Sequence, residues 1–163
     1  METFEIETAS EEEQDLVRQI ESRAVYLLSM REHGGKELRQ KLLQKFPESE
    51  NRPQLVDFVL DRCRQNNWLS DERFIEASVR LAMEKGQGPY KIKQALQAKT
   101  ANTELIDAYL SLDDGDWAEM AQEALIKKYG DADKPREMKE QARRMRFLAS
   151  RGFSQSQIWK AMR

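Results

Sequence analysis

The stretch AVYLLSMREHGGKELRQKLL, residues 24–43, places Val25, Leu27 and Leu28 before a Gly34-Gly35 break and Leu38, Leu42 and Leu43 after it. Apolar residues at helical spacing, interrupted by two glycines, predict a helix, a turn and a second helix. The pattern recurs without gaps when Arg31, Lys85 and Arg151 are made equivalent, each a basic residue closing a long helix. Leu27, Leu81 and Phe147 stand four residues before it and Val25, Val79 and Met145 six before it; both sets are expected to face inward. Leu38, Ile92 and Ile158 stand seven after it, and Leu42, Leu96 and Met162 eleven after it, on one face of a short helix. Gly34, Gly88 and Ser154, three after it, suit a helix N-cap and are poor inside a helix. Agreement of apolar spacing, cap and basic terminus across three joints marks an internal repeat. The separations, 54 residues from 31 to 85 and 66 from 85 to 151, describe a drifting array with an insertion before the third copy.

Working outward, Ser10 and Glu13 have the form of a capping box, so a helix is expected to begin there. Pro53 suits the first position of a helix that buries Leu55, Val56, Val59, Leu60 and Cys63, and Asn66-Asn67 ends it. Ser70 caps a helix over about 71–85, and Pro89 starts a short one carrying Ile92 and Leu96. Helices are expected near 102–112, 116–129 and 136–151, with a last one capped by Ser154. No segment combines β-branched enrichment with alternation, so no sheet is expected. The fold class is all-α: an elongated array of three tandem three-helix, helix-turn-helix-like repeats. Its expected divisions are an acidic, partly disordered leader (1–22) and repeats at 23–69, 70–113 and 114–163, the last with the insertion. Since the chain ends soon after its third joint, that repeat must borrow a helix, such as the one around Trp117, or stay open.

Charge divides the chain unevenly. Residues 1–22 hold eight acids and one base, a net of −7, whereas residues 23–163 hold 21 acids and 26 bases, a net of +5. A dedicated binder of naked nucleic acid usually has a domain pI above about 9, so tight autonomous DNA binding is not expected. The leader is a candidate competitor for the basic body. No apolar stretch approaches a membrane span, and the acidic N-terminus is unlike a signal peptide, which points to the cytoplasm. One cysteine and one histidine cannot build a disulfide or a zinc site, and no cofactor or metal is expected. Cys63 falls on an apolar helical face and reads as a core thiol, and His33 as a polar turn residue.

With Trp68-Leu69-Ser70-Asp71-Glu72-Arg73-Phe74, Lys85-Gly86-Gln87-Gly88-Pro89-Tyr90-Lys91-Ile92, Arg146-Phe147-Leu148 and Arg151-Gly152-Phe153-Ser154, the joints carry a resemblance. Over roughly residues 23–163 the sequence resembles the RecX family, bacterial regulators of the RecA recombinase. It departs from that pattern at Gly34, where the family usually has serine, at Gln87, where an aromatic is common, and at Thr100, where a glycine often follows the lysine. The resemblance implies a protein that binds RecA filaments on single-stranded DNA, blocks their extension or promotes their disassembly, and so lowers strand exchange and ATP turnover. It implies no catalytic residue, and a helical body lying in the filament groove across more than one subunit.

Read as residues alone, Gly86-x-Gly88 lacks the preceding strand and GK[ST] ending of a phosphate cradle and is a turn. Trp68 and Trp117 read as packing residues; Trp159 is less determined. The bases Arg31, Lys36, Arg39, Lys41, Lys45, Lys85, Lys91, Lys93 and Lys99, with Arg143, Arg144, Arg146 and Arg151, gather around the joints. They form either a solvated face or a candidate surface for RecA carboxylates and for DNA phosphates inside the filament. The expected partners are therefore the RecA filament and, weakly or within it, single-stranded DNA; no membrane is involved and the protein is a monomer. The competing class is a sequence-specific helix-turn-helix DNA-binding regulator. Of the short helices, only the one beginning Gln155-Ser156-Gln157 offers base-reading side chains at its start.

Overall fold

The computed structural model describes residues 4–163, and every regular element in them is helical. In chain order these are α1 (Glu11–Met30), α2 (Gly35–Lys45), α3 (Pro53–Gln65), α4 (Asp71–Glu84), α5 (Pro89–Gln97), α6 (Thr103–Tyr109), α7 (Asp114–Tyr129), α8 (Met138–Ser150) and α9 (Gln155–Ala161). Local chemistry sets their ends. Ser10 Oγ accepts from the Glu13 N–H at 3.1 Å, and Ser70 Oγ accepts from the Arg73 N–H at 3.2 Å. Pro53 opens α3, and Asn67 turns the chain after it at φ 60°. Asp113 caps α7, which stops at Gly130 in the left-handed region, φ 89°. Ser154 and Gln157 make a complete capping box on α9.

All three joints are built alike at the backbone. The carbonyls of Gly34, Gly88 and Ser154 accept the first helical hydrogen bonds, from the N–H groups of Leu38, Ile92 and Ile158 at 2.9, 3.2 and 2.9 Å. The predicted inward residues after each joint are all buried: Leu38, Ile92 and Ile158, then Leu42, Leu96 and Met162.

The chain forms two compact units. One comprises the residues up to Phe74 together with Ala98–Asn102, and the other Ile75–Gln97 with Thr103–Arg163. In the first, α1, α2 and α3 pack pairwise, and Leu16, Val17, Ile20 and Ala24 meet Leu38 and Leu42 of α2 and Leu55, Val56 and Val59 of α3. In the second, α5 packs on α6, and α7 packs on both α8 and α9, with Trp117 1% exposed. The third joint thus does borrow the helix around Trp117.

Two expectations need correction. The division at residue 22 falls inside α1, and residues 11–22 are helix rather than leader. Net charge hid their apolar stripe: Leu16, Val17 and Ile20 are buried, while Glu12 and Glu21 pair with Arg52 at 3.4 Å and Arg62 at 2.5 Å. The first three residues of the proposed leader lie outside the described residues. The second correction concerns the long helices. Of the six residues expected inward, Val79 is buried and Leu27, Met145 and Phe147 are half-buried, but Val25 is 39% and Leu81 52% exposed. Residues two apart on a helix point about 200° apart, so the sets four and six before the basic residue cannot share an inward face. The positions three and seven before it expose none of their residues: Ala24, Arg144 and Leu148 are buried, and Leu28, Ser78 and Ala82 half-buried.

The corrected register is testable by chemical denaturation. Ile92→Ala and Leu148→Ala should each cost about 2–5 kcal/mol through lost burial and a residual cavity. Leu81→Ala should stay within about 0.5 kcal/mol, as an exposed substitution does; a core-sized loss there would restore the original register.

Candidate functional site

The basic residues singled out from the sequence do not form one open face, because carboxylates reach many of them. In the first unit Glu37, 9% exposed, sits among three cations: Arg31 at 2.8 Å, Lys99 at 3.8 Å and Lys41 at 3.9 Å. Arg39 pairs with Asp57 through Nε at 2.7 Å and Nη2 at 3.4 Å. Lys36 and Lys45 are exposed. In the second unit Lys93 pairs with Asp107 at 2.7 Å and Arg143 with Glu140 at 3.7 Å. Lys85, Lys91 and Arg146 are exposed.

Arg144 departs from the expectation of a surface cation. It is 8% exposed, pairs with Asp131 at 3.0 Å, donates to the Asp133 carbonyl at 3.2 Å, and lies 4.7 Å from the Tyr129 ring centroid. Its hydrogen bond holds the Asp131 carboxyl below its ordinary range. Arg144 fastens the loop between α7 and α8; a helix periodicity that places it on the buried face beside Leu148 was the signal for this.

Arg151 Nη1 donates to the Lys85 carbonyl at 3.2 Å, and its guanidinium lies 5.1 Å from the Phe147 ring centroid. Two lysines outside the predicted set join this pair: Lys127 and Lys128, in the last turn of α7, line the same cavity as Lys85, Phe147 and Arg151. Sequence inspection around the joints missed them because α7 lies outside the joint pattern. Only its role as the borrowed helix brings its end to the joint.

His33, 2% exposed, is part of the Glu37 cluster. Its Nδ1 lies 3.1 Å from the Arg31 carbonyl oxygen and its Nε2 3.2 Å from Lys41 Nζ. The network assigns the neutral ring, donating from Nδ1 and accepting at Nε2. Burial first, then the nearby Arg31 and Lys41 charges, lower its pKa below the ordinary 6.5, against the raising effects of the Arg31 carbonyl and Glu37. Burial alone would raise the Glu37 carboxyl, but Arg31 and the neighbouring cations more than offset it and hold it below its ordinary 4.5. Cys63 is fully buried, and burial pushes its thiol up to about 11, which suits a core residue and not a nucleophile. Trp68 and Trp159 are 42% and 63% exposed, Trp159 with Lys134 Nζ 5.9 Å from its ring centroid. Among the described residues no group of three or more His, Cys, Asp or Glu side chains could hold a metal ion, and no helix is long and apolar enough to cross a membrane.

Known proteins share both the sequence and the fold. The third three-helix domain of RecX matches residues 114–162, and the second matches residues 70–110. The regulatory protein RecX of Serratia proteamaculans is 34% identical over 155 residues, covering 84% of this chain and 92% of that protein. That of Vibrio vulnificus is 35% identical over 139 residues, covering 85% and 88%. The crystal structure of RecX from Lactobacillus salivarius superposes with a TM-score of 0.72 at 21% identity, covering 91% of this chain and 95% of the other.

The Glu37 cluster predicts a pH dependence. A histidine whose folded pKa is depressed contributes stability that is complete above its unfolded value of about 6.5 and declines as pH falls below it. Glu37 acts in a separate window, below 4.5, and the chain has no other histidine. The urea midpoint should therefore fall between pH 7.5 and 5.5, and His33→Gln should flatten that fall; parallel curves for both proteins would contradict it.

Proposed function

The chain belongs to the RecX family of regulatory proteins, not of enzymes, and on that premise we propose that it binds RecA filaments on single-stranded DNA and restrains them. In this reading it lowers strand exchange and RecA ATP hydrolysis by blocking filament extension or promoting disassembly, and so tunes DNA repair, recombination and the SOS response in the cytoplasm. The observation that carries the reading is the match to proteins named regulatory protein RecX across most of both chains.

The charge distribution favours a protein partner that brings the DNA with it. Arg31, Arg39, Lys41, Lys93, Lys99, Arg143 and Arg144 already face carboxylates, so they offer little charge to naked phosphates. Lys45, Lys91 and Arg146 are exposed, and we assign them to contacts with RecA carboxylates or with phosphates inside the filament. The protein acts as a monomer, its repeats divided near residues 69/70 and 113/114. A sequence-reading helix-turn-helix regulator fits less well. The start of α2 donates from Glu37 N–H to the Lys99 carbonyl, and the start of α5 from Tyr90 N–H to the Gly152 carbonyl, so neither end is open to a DNA groove.

Purified protein added to preformed RecA filaments on single-stranded DNA should lower RecA ATP hydrolysis in proportion to the amount added. Charge reversal at Lys45, Lys91 and Arg146 together should weaken that inhibition. ATP hydrolysis unchanged at one molecule per RecA would remove the reading.

A further inference from the structure

Two cavities of about 210 Å³ each adjoin in the second unit, sharing Gly86, Ala124 and Lys127. They differ in character. The first has Lys85, Lys127, Lys128 and Arg151 around Phe147, and no carboxylate among the described residues that line it. The second is lined by Met83, Met120 and Ile126, with Glu84 and Glu123. Gly86 and Ala124 of α7 stand in their common wall, Gly86 in the left-handed region at φ 79° in the turn after α4.

Four cations line one small cavity, two of them against the Phe147 ring, and that charge favours an anion there. Arg151 is anchored by the Lys85 carbonyl, and Lys128 Nζ stands 5.8 Å from the Phe147 centroid. Arg31, Arg39, Lys93 and Arg144 meet internal carboxylates; here a carboxylate from outside would complete the set. The neighbouring cavity supplies the second half of the recognition. Ile126 is 52% exposed on α7, and two methionines beside it form an adaptable apolar lining.

The chemistry separates a peptide from a nucleic acid. A nucleotide would need the Phe147 ring for base stacking, but Lys128 and Arg151 lie against that ring, and Tyr129 meets it edge-on at 5.6 Å and 88°. A strand with a phosphate at every residue would also set charge against Glu84 and Glu123. A peptide places one carboxylate in the basic cavity and an uncharged side chain in the apolar one.

We propose that the two cavities form one recognition site for a peptide segment carrying an Asp or Glu beside a large apolar side chain. The carboxylate lies among Lys85, Lys127, Lys128 and Arg151, and the apolar side chain against Met83, Met120 and Ile126. Charge complementarity sets the register, and the apolar contact selects the segment. The site shares Lys85 and Arg151 with the surface considered above but does not require RecA, so peptide capture and RecA inhibition succeed or fail separately.

Fluorescence anisotropy on the full chain tests it with a labelled peptide alternating Asp with Leu. That peptide should bind saturably, and one alternating Asp with Gly should bind at least about tenfold more weakly. The double substitution Lys127→Glu with Lys128→Glu, and separately Ile126→Asp, should each weaken binding by about tenfold with the helical circular dichroism unchanged. Absence of saturable binding, equal binding of the Asp-Gly peptide, or oligo-dT competing as well on Ile126→Asp as on the unaltered chain would overturn the proposal.

Discussion

The fold turns on how closely backbone passes backbone at the joints. A Cβ at Gly34 would come within 3.0 Å of the Lys99 carbonyl oxygen, and one at Gly88 within 3.0 Å of the Gly152 carbonyl and the Phe153 nitrogen. Neither glycine is needed for its own dihedral angles: Gly34 adopts φ −75° and ψ 150°, open to any residue. What they permit is contact. Glu37 N–H reaches the Lys99 carbonyl at 3.1 Å, and Gly88 and Tyr90 N–H groups reach the Arg151 and Gly152 carbonyls at 2.7 and 3.0 Å. The orphan donors at the starts of α2 and α5 are thus satisfied by a distant stretch of chain rather than by a cap side chain. At Ser154 the ordinary side-chain cap returns. A serine at position 34 would collide with Lys99 in this chain.

The same economy governs charge. A chain of net charge −2 that pairs most joint cations internally keeps its positive surface potential low, and long-range attraction to DNA falls with it. The cations left without a carboxylate partner among the described residues include the exposed Lys45, Lys91 and Arg146 and those that line the cavity beside Phe147. Glu37 shows why a list of bases overstates a binding face: one nearly buried carboxylate engages three of them.

Much of this was legible in the sequence. The all-helical class, the caps at Ser10, Ser70 and Ser154, and the buried faces of the short helices followed from spacing and cap chemistry. The long helices were harder, since three or four apolar residues in succession, as at Val25 to Leu28, leave the inward face ambiguous. In α1 a high density of acids concealed the stripe from Leu16 to Ala24. Arg144 and the pair Lys127 and Lys128 were illegible for another reason: what a long cation meets depends on which helix packs across from it, and periodicity does not carry that information.

The most direct test of the close joint is the sign of one substitution. Gly→Ala at an unstrained dihedral normally stabilises by about 0.4–1 kcal/mol, because the unfolded chain loses freedom. At Gly34 the collision with the Lys99 carbonyl should reverse that sign and cost roughly 1–3 kcal/mol, as overpacking does. Urea denaturation of Gly34→Ala should show a lower midpoint than the unaltered chain; an equal or higher midpoint would contradict the account.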